Sequence, residues 1–155
     1  MRLSVFILIY LFLTVCGTQG KGRERISFNR NWRFALTEKQ ADASAPGTDD
    51  SNWRILDLPH DWSIESDFSL DNPATPGGGA LPGGTGWYRK HFKLPESDKG
   101  KVIYIDFDGV YRNSEVWLNG HLLGFRPNGY VSFRYDLTRY LNYVKMECME
   151  DVLFS

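Results

Sequence analysis

Asn119-Gly120 stands between two short apolar runs, Glu115-Val116-Trp117-Leu118 and His121-Leu122-Leu123-Gly124. Both turn residues tolerate the positive φ of a type I′ turn, so the pair predicts a two-residue β-hairpin. The rest of the chain agrees with antiparallel strands. Beyond residue 20 no helical periodicity of useful length appears, and short apolar stretches recur with Gly, Pro, Asn and Asp between them, as in an all-β sandwich or barrel. Residues 101–108, KVIYIDFD, alternate most cleanly. Their period of two predicts Ile103, Ile105 and Phe107 on the buried face, opposite Val102, Tyr104, Asp106 and Asp108. Further strands are expected at 26–28, 32–36, 87–94 and 130–135. Residues 39–52, polar and rich in Ala, Asp and Ser, read as a surface loop. Residues 71–86, DNPATPGGGALPGGTG, hold six glycines and three prolines in sixteen positions and must form an irregular loop. Loops of that length are either functional or linkers, and the apolar segments on both sides argue for order, so a binding-site lip is expected here, with a floppy linker as the alternative.

The first twenty residues differ from the rest. Arg2 gives a short positive start, and Val5 to Leu13 is a nine-residue apolar run followed by small residues. That is the pattern of a secretory signal, since a membrane-spanning helix needs ~20 apolar residues. Cleavage after Gly20 would leave Lys21 first, followed by a short segment at 21–25, and would place the product outside the cell or in the periplasm. Leu13-Thr14-Val15-Cys16 also faintly resembles a bacterial lipoprotein box, in which Cys16 would carry a lipid anchor, although Val15 is bulkier than that pattern prefers. Cys16 and Cys148 are the only cysteines, so cleavage after Cys16 leaves one thiol and no internal disulfide framework.

About 135 residues remain after the leader, the size of one domain with a real core. A formal net charge of −1 without a basic block points away from nucleic acid and anionic membrane as partners. Aromatic residues make up 15% of the chain, with five tryptophans, enough both for a sandwich core and for stacking on sugar rings. Glycoside hydrolysis would need two carboxyl groups facing each other across a sugar. The carboxylates Glu38, Glu65, Glu96, Glu115, Glu147 and Glu150 all read more simply as surface charges. His60 and Asp61 are adjacent, but neighbours on an extended chain point to opposite sides and do not make a relay. His91 and His121 are isolated. No metal-ligand spacing, serine elbow or phosphate-binding fingerprint is present, so no metal and no cofactor are expected.

Several motifs carry a resemblance when read in order. They are Phe28-Asn29-Arg30-Asn31-Trp32-Arg33-Phe34, then Leu58-Pro59-His60-Asp61-Trp62, then Gly86-Trp87-Tyr88-Arg89-Lys90-His91-Phe92. Phe107-Asp108-Gly109-Val110-Tyr111-Arg112-Asn113-Ser114-Glu115-Val116-Trp117-Leu118-Asn119-Gly120 and Gly124-Phe125-Arg126-Pro127-Asn128-Gly129-Tyr130 follow. Together they resemble the N-terminal sugar-binding domain of glycoside hydrolase family 2, over residues 26–142. The Pro/Gly-rich loop after Leu-Pro-His-Asp-Trp is most similar to that of Bacteroides-type β-galactosidases.

The resemblance implies a jelly-roll, galactose-binding-like β-sandwich whose loop reaches toward the sugar pocket of a neighbouring (β/α)₈ barrel. It makes Asn72 the first candidate for a sugar hydroxyl contact, with Asp71 beside it and Trp87 as a further candidate, and assigns Trp32, Trp53 and Trp117 to the core. Asp61 is expected to tie its turn by accepting backbone N–H groups. The family's acid/base and nucleophile glutamates lie in the barrel and match no position here, so the sequence predicts a β-galactoside-facing domain inactive alone. An autonomous carbohydrate-binding module and a non-catalytic interaction domain are the alternatives. After residue 142 the family continues with Tyr-Gly-Lys-Glu-Asn, whereas this sequence reads Tyr143-Val144-Lys145-Met146-Glu147-Cys148. A shifted reading frame or a truncation is therefore expected, with 143–155 an aberrant tail, the sandwich incomplete at its C-terminus and a neighbouring edge unpaired.

Overall fold

The computed structural model describes residues 22–36, 43–72, 80–143 and 150–154. The leader with Cys16, residues 37–42 with Glu38, residues 73–79, and residues 144–149 with Glu147 and Cys148 lie outside them. The described residues hold eight strands: β1 Trp32–Leu36, β2 Arg54–Leu56, β3 Gly86–Phe92, β4 Tyr104–Phe107, β5 Ser114–Leu118, β6 His121–Arg126, β7 Phe133–Asp136 and β8 Glu150–Phe154. They form a six-stranded sheet in the order β2-β1-β3-β8-β5-β6 and a two-stranded sheet, β4-β7, with antiparallel pairing throughout. This is an all-β sandwich.

Alternation decides which side chains meet between the layers. Trp32 and Phe34 of β1, Tyr88 of β3, and Val116 and Leu118 of β5 point inward from the large sheet, against Ile105 and Phe107 of β4 and Leu137 beyond β7. Ile103, Ile105 and Phe107 take the buried side predicted for them, while Tyr104 and Asp106 are exposed. Asn119 and Gly120 adopt φ of 50° and 78°, and the hairpin they form joins β5 to β6 in register from Leu118↔His121.

The outer face of the large sheet is covered as well. Ala35 and Trp87 are paired across β1 and β3, as are Arg33 and Arg89, all opposite in direction to the core face. Residues 43–53 lie over them, bringing Ala43 and Trp53 against Trp87 and Trp117. The expectation of a plain surface loop at 39–52 is corrected for its described part: Ala43 and Asp50 are buried. Arg89 is the reason. Its guanidinium donates to the carbonyls of Ala43 (2.6 Å), Thr48 (2.9 Å) and Ala45 (3.3 Å), and Arg33 donates to that of Asp50 (2.7 Å). Five donors in a rigid fork can gather several carbonyls at once, which pins a polar segment to a sheet face.

Three other expectations change. Residues 26–28 form no strand, because Phe28 serves as a packing residue: its ring meets Trp32 edge-on at 5.8 Å and Phe92 at 5.1 Å, and its carbonyl accepts from the Trp32 indole at 2.8 Å. The strand expected at 130–135 starts only at Phe133. Before it, Asn128 Oδ1 accepts from the Tyr130 amide (2.8 Å), and Gly129 approaches Tyr111 and Arg112 so closely that a Cβ would fall 2.8 Å from the Arg112 nitrogen. The third concerns the C-terminal segment. Glu150–Phe154 pairs with β3 on one side and β5 on the other, so the sheet is continuous where an unpaired edge was expected. Backbone pairing needs only an extended chain of sufficient length, and 150–154 supply it.

Candidate functional site

The Leu58-Pro59-His60-Asp61-Trp62 turn and the loop after it form one unit. The Leu58–Pro59 bond is cis. Asp61 caps the 3-10 turn Trp62–Glu65, with Oδ1 accepting from the Ser63 amide (3.0 Å) and the Ser63 hydroxyl (2.6 Å). This is the tie expected of it. His60 faces away from Asp61, as extended neighbours should: its Nδ1 lies 2.8 Å from the Tyr88 hydroxyl, and its Nε2 lies 2.8 Å from Arg54 Nη2 and 3.0 Å from Glu65 Oε1. Arg54 also reaches both Glu65 oxygens, at 2.9 and 2.7 Å, while its guanidinium lies over the Phe34 ring. The hydrogen bonds from Arg54 and His60 hold the Glu65 carboxyl below its ordinary range. Since the folded value is the lower one, the interaction is present above the usual glutamate pKa and is lost as the pH falls through the folded value. Burial, reinforced by the charges of Asp61 and Glu65, pushes the Tyr88 hydroxyl well above its ordinary value, which keeps it protonated.

Asn72 closes the neck of the glycine- and proline-rich loop. Its Nδ2 donates to the carbonyls of Ala80 (2.8 Å) and Asp67 (3.3 Å), its amide donates to Ser69 O (3.1 Å), and the Ser69 amide donates to Ala80 O (3.2 Å). Two carbonyls on one end of the side-chain amide require its nitrogen there, which puts Oδ1, an acceptor, at the other end. Asp71, whose amide donates to Ser69 Oγ, is exposed.

The other limb of the neck rests on Trp62. A Cβ at Gly86 would lie 2.7 Å from Trp62 Nε1 and 3.0 Å from Phe34 Cε2, and one at Gly84 would lie 3.7 Å from the Trp62 ring. Gly86→Ala should therefore cost about 1–3 kcal/mol through forced displacement of Trp62. A lower urea midpoint at unchanged slope is the expected readout.

The structure brings Asn72 and Asp71 together and leaves Trp87 apart from them. Trp87 has 0% exposure, packed beneath 43–53 with Ala43, Trp53 and Trp117, so its expected part in sugar contact is corrected to a packing one. Trp32 is in the main core, while Trp53 and Trp117 join Trp87 on the outer face, as packing residues. Of the other carboxylates, Glu96 lies in a 3-10 turn, Glu115 is half-buried on β5, and Glu150 begins β8. His91 bonds Asp50 at 2.6 Å, and His121 stacks on Tyr140. One feature escaped sequence reasoning: Tyr111 and Tyr130 stand edge to face at 6.5 Å, with 67% and 87% exposure. They are nineteen residues apart in sequence, and only the close approach of Gly129 to the 111–112 backbone joins them.

Residues 26–153 match the family model of the glycosyl hydrolases family 2 sugar binding domain, a match that runs beyond residue 142 into β8. A β-galactosidase of Bacteroides ovatus is 60% identical over 121 residues, covering 78% of this chain and 14% of that protein. A putative β-glucuronidase of Formosa agariphila is 47% identical over 135 residues, covering 87% of this chain and 13% of that protein. Among solved structures, a β-glycosidase from Bacteroides vulgatus superposes with a TM-score of 0.77 at 47% identity, over 85% of this chain and 17% of that one. The chain thus spans only 13–14% of the length of these two curated relatives. With the sandwich and its loop, the match is decisive: the chain belongs to glycoside hydrolase family 2, and residues 26–153 are its sugar-binding domain.

Proposed function

We propose that this chain is the sugar-contacting domain of an exported β-galactosidase-like enzyme whose two catalytic carboxylates are supplied by a barrel outside these residues. The observation that supports this reading is the neck of the loop, where Asn72 spends its Nδ2 on Ala80 and Asp67 beside the exposed Asp71, and we assign its remaining acceptor, Oδ1, to a sugar hydroxyl. The share of the relatives' length that the chain covers supports a division of labour in which this domain supplies contacts and another the chemistry. Export rests on the apolar run at 5–13, and cleavage after Gly20 is read in preference to lipidation at Cys16.

Two expected results test it. Titration calorimetry of the chain with galactose and lactose should give no measurable heat of binding, because a single-acceptor contact needs the rest of the pocket. In the domain joined to its barrel, Asn72→Ala should lower kcat/KM for a β-galactoside about tenfold, the equivalent of ~1.4 kcal/mol. Unchanged kinetics would remove Asn72 from the sugar.

The exposed pair Tyr111 and Tyr130 favours a second reading, an autonomous carbohydrate-binding module that stacks a glycan on their rings. Millimolar binding by the chain alone, abolished in Tyr111→Ala and Tyr130→Ala, would select it over the first.

A further inference from the structure

Several arginines of this chain face carboxylates: Arg33 meets Asp50, Arg54 meets Glu65 and Arg134 meets Asp106. Arg112 and Arg126 differ. Both are exposed, and among the described residues each lies on aromatic rings and meets no carboxylate. The Arg126 guanidinium stands over Phe133 at 5.3 Å and over Tyr135 at 5.5 Å, and these two rings are edge to face at 5.6 Å. Both rings pack against the main core, and a Cβ at Gly124 would fall 2.7 Å from the Tyr135 hydroxyl, so the platform beneath Arg126 is wedged in place. Arg112 stands over Tyr111 at 5.6 Å. A planar guanidinium already stacked on a ring keeps its donor edge for a ligand and has less freedom to lose on binding.

The two arginines share one end of the sandwich. Arg126 is the register partner of Ser114, the second residue after Arg112, and Gly129 brings its own loop onto the backbone of Tyr111 and Arg112. The exposed edge-to-face pair Tyr111 and Tyr130 is part of the same two loops. Nearby carboxylates are engaged or turned away. Asp108 stands 3.7 Å from Arg25, Asp106 holds Arg134, and Glu115 follows Ser114 on β5 and so points to the opposite face. A carboxylate or a sulfate ester accepts paired bonds from a guanidinium fork, and a sugar ring lies well on an exposed tyrosine. An acidic sugar offers both groups on one scaffold.

We propose that this end of the sandwich binds acidic glycans, with Arg112 and Arg126 taking the carboxylate or sulfate group and Tyr111 and Tyr130 the sugar rings beside it. The inference is independent of Asn72; it rests on the aromatic face of the second reading above, to which it adds the class of glycan.

The test is titration calorimetry of the full chain at low salt with three trisaccharides, one of galacturonic acid, one of sulfated galactose and one of neutral galactose, and with sodium sulfate. At least one acidic trisaccharide should bind about tenfold more tightly than the neutral one, the size of one hydrogen-bonded contact to a charged group. Which acid binds names the anionic group. Sulfate alone should give no measurable heat, and added salt should erode the preference. Arg112→Gln and Arg126→Gln should each reduce the preference severalfold at an unchanged urea midpoint. Arg126→Lys keeps the charge without the fork, should lose part of the preference, and serves where Arg126→Gln does not fold. Arg134→Gln removes the same charge from an arginine held by Asp106 and should leave the preference intact. Equal affinity for acidic and neutral trisaccharides would overturn the proposal and leave the second reading standing, whereas no heat with any of the three would overturn both. An equal loss in Arg134→Gln and Arg126→Gln would overturn it in favour of net charge.

Discussion

Arg89→Met should lower the free energy of unfolding by about 3–5 kcal/mol, the cost of breaking a buried charge network from one side. Methionine fills the space but donates nothing, so the carbonyls of Ala43, Ala45 and Thr48 lose the donor that gathers them. Asp50 loses one of three cationic or imidazole neighbours while still buried, with Arg33 and His91 left to hold it. Because small domains are stable by only about 5–15 kcal/mol, a loss of this size removes much of the total. Urea unfolding followed by tryptophan fluorescence is the measurement. Arg89→Lys should recover a minor part, since an ammonium is a point donor and cannot span three carbonyls. A variant within ~1 kcal/mol of the parent would mean that 43–53 is held by its apolar contacts alone.

Trp87→Ala should cost a similar ~3–5 kcal/mol, the range for deleting a fully buried aromatic from a well-packed site. The cavity would open between Ala43, Trp53 and Trp117, on the far side of the sheet from the main core. Trp87→Phe, which keeps much of the volume, should lose far less. The same pair of variants separates a packing role from a sugar-contacting one. A packing residue loses stability on truncation, in sugar-free buffer. A residue that only met sugar would leave the unfolding midpoint unmoved and would change affinity alone.

Much of the fold was legible because backbone rules act locally. Asn119-Gly120 announced its hairpin through two positive φ angles, and KVIYIDFD announced its buried face through alternation, since both signals depend on residues a few positions apart. The outer face was opaque for the same reason. Trp87, Arg89 and His91 alternate along β3 as one side of a strand, but whether that side meets water depends on 43–53, more than thirty residues earlier. The strand at 150–154 was unreadable because its sequence, Glu-Asp-Val-Leu-Phe, carries little alternation, and its place is decided by the gap between β3 and β5.

The candidate site divides in the same way. Asp61 stands where a short polar side chain bonds to backbone two residues on, so its tie could be argued from the sequence, whereas the bonds of Asn72 to Asp67 and Ala80, which close the neck of the loop, were not foreseen. His60 could be denied its neighbour Asp61 on the same grounds. Its true partners could not be named, because Arg54, Glu65 and Tyr88 come from a strand, a turn and a second strand.

By itself, then, the sequence determined the strands with a clean two-residue period, the I′ hairpin, the capped turn and the identity of the loop, all consequences of local backbone geometry. Only the tertiary structure decided that Trp87 is sealed from solvent, that Arg89 binds 43–53 to the sheet, that β8 fills the middle of that sheet and that His60 meets three partners at once. Those are outcomes of long-range packing, where burial and hydrogen-bond satisfaction depend on which distant segment covers a face, and no local pattern encodes that choice.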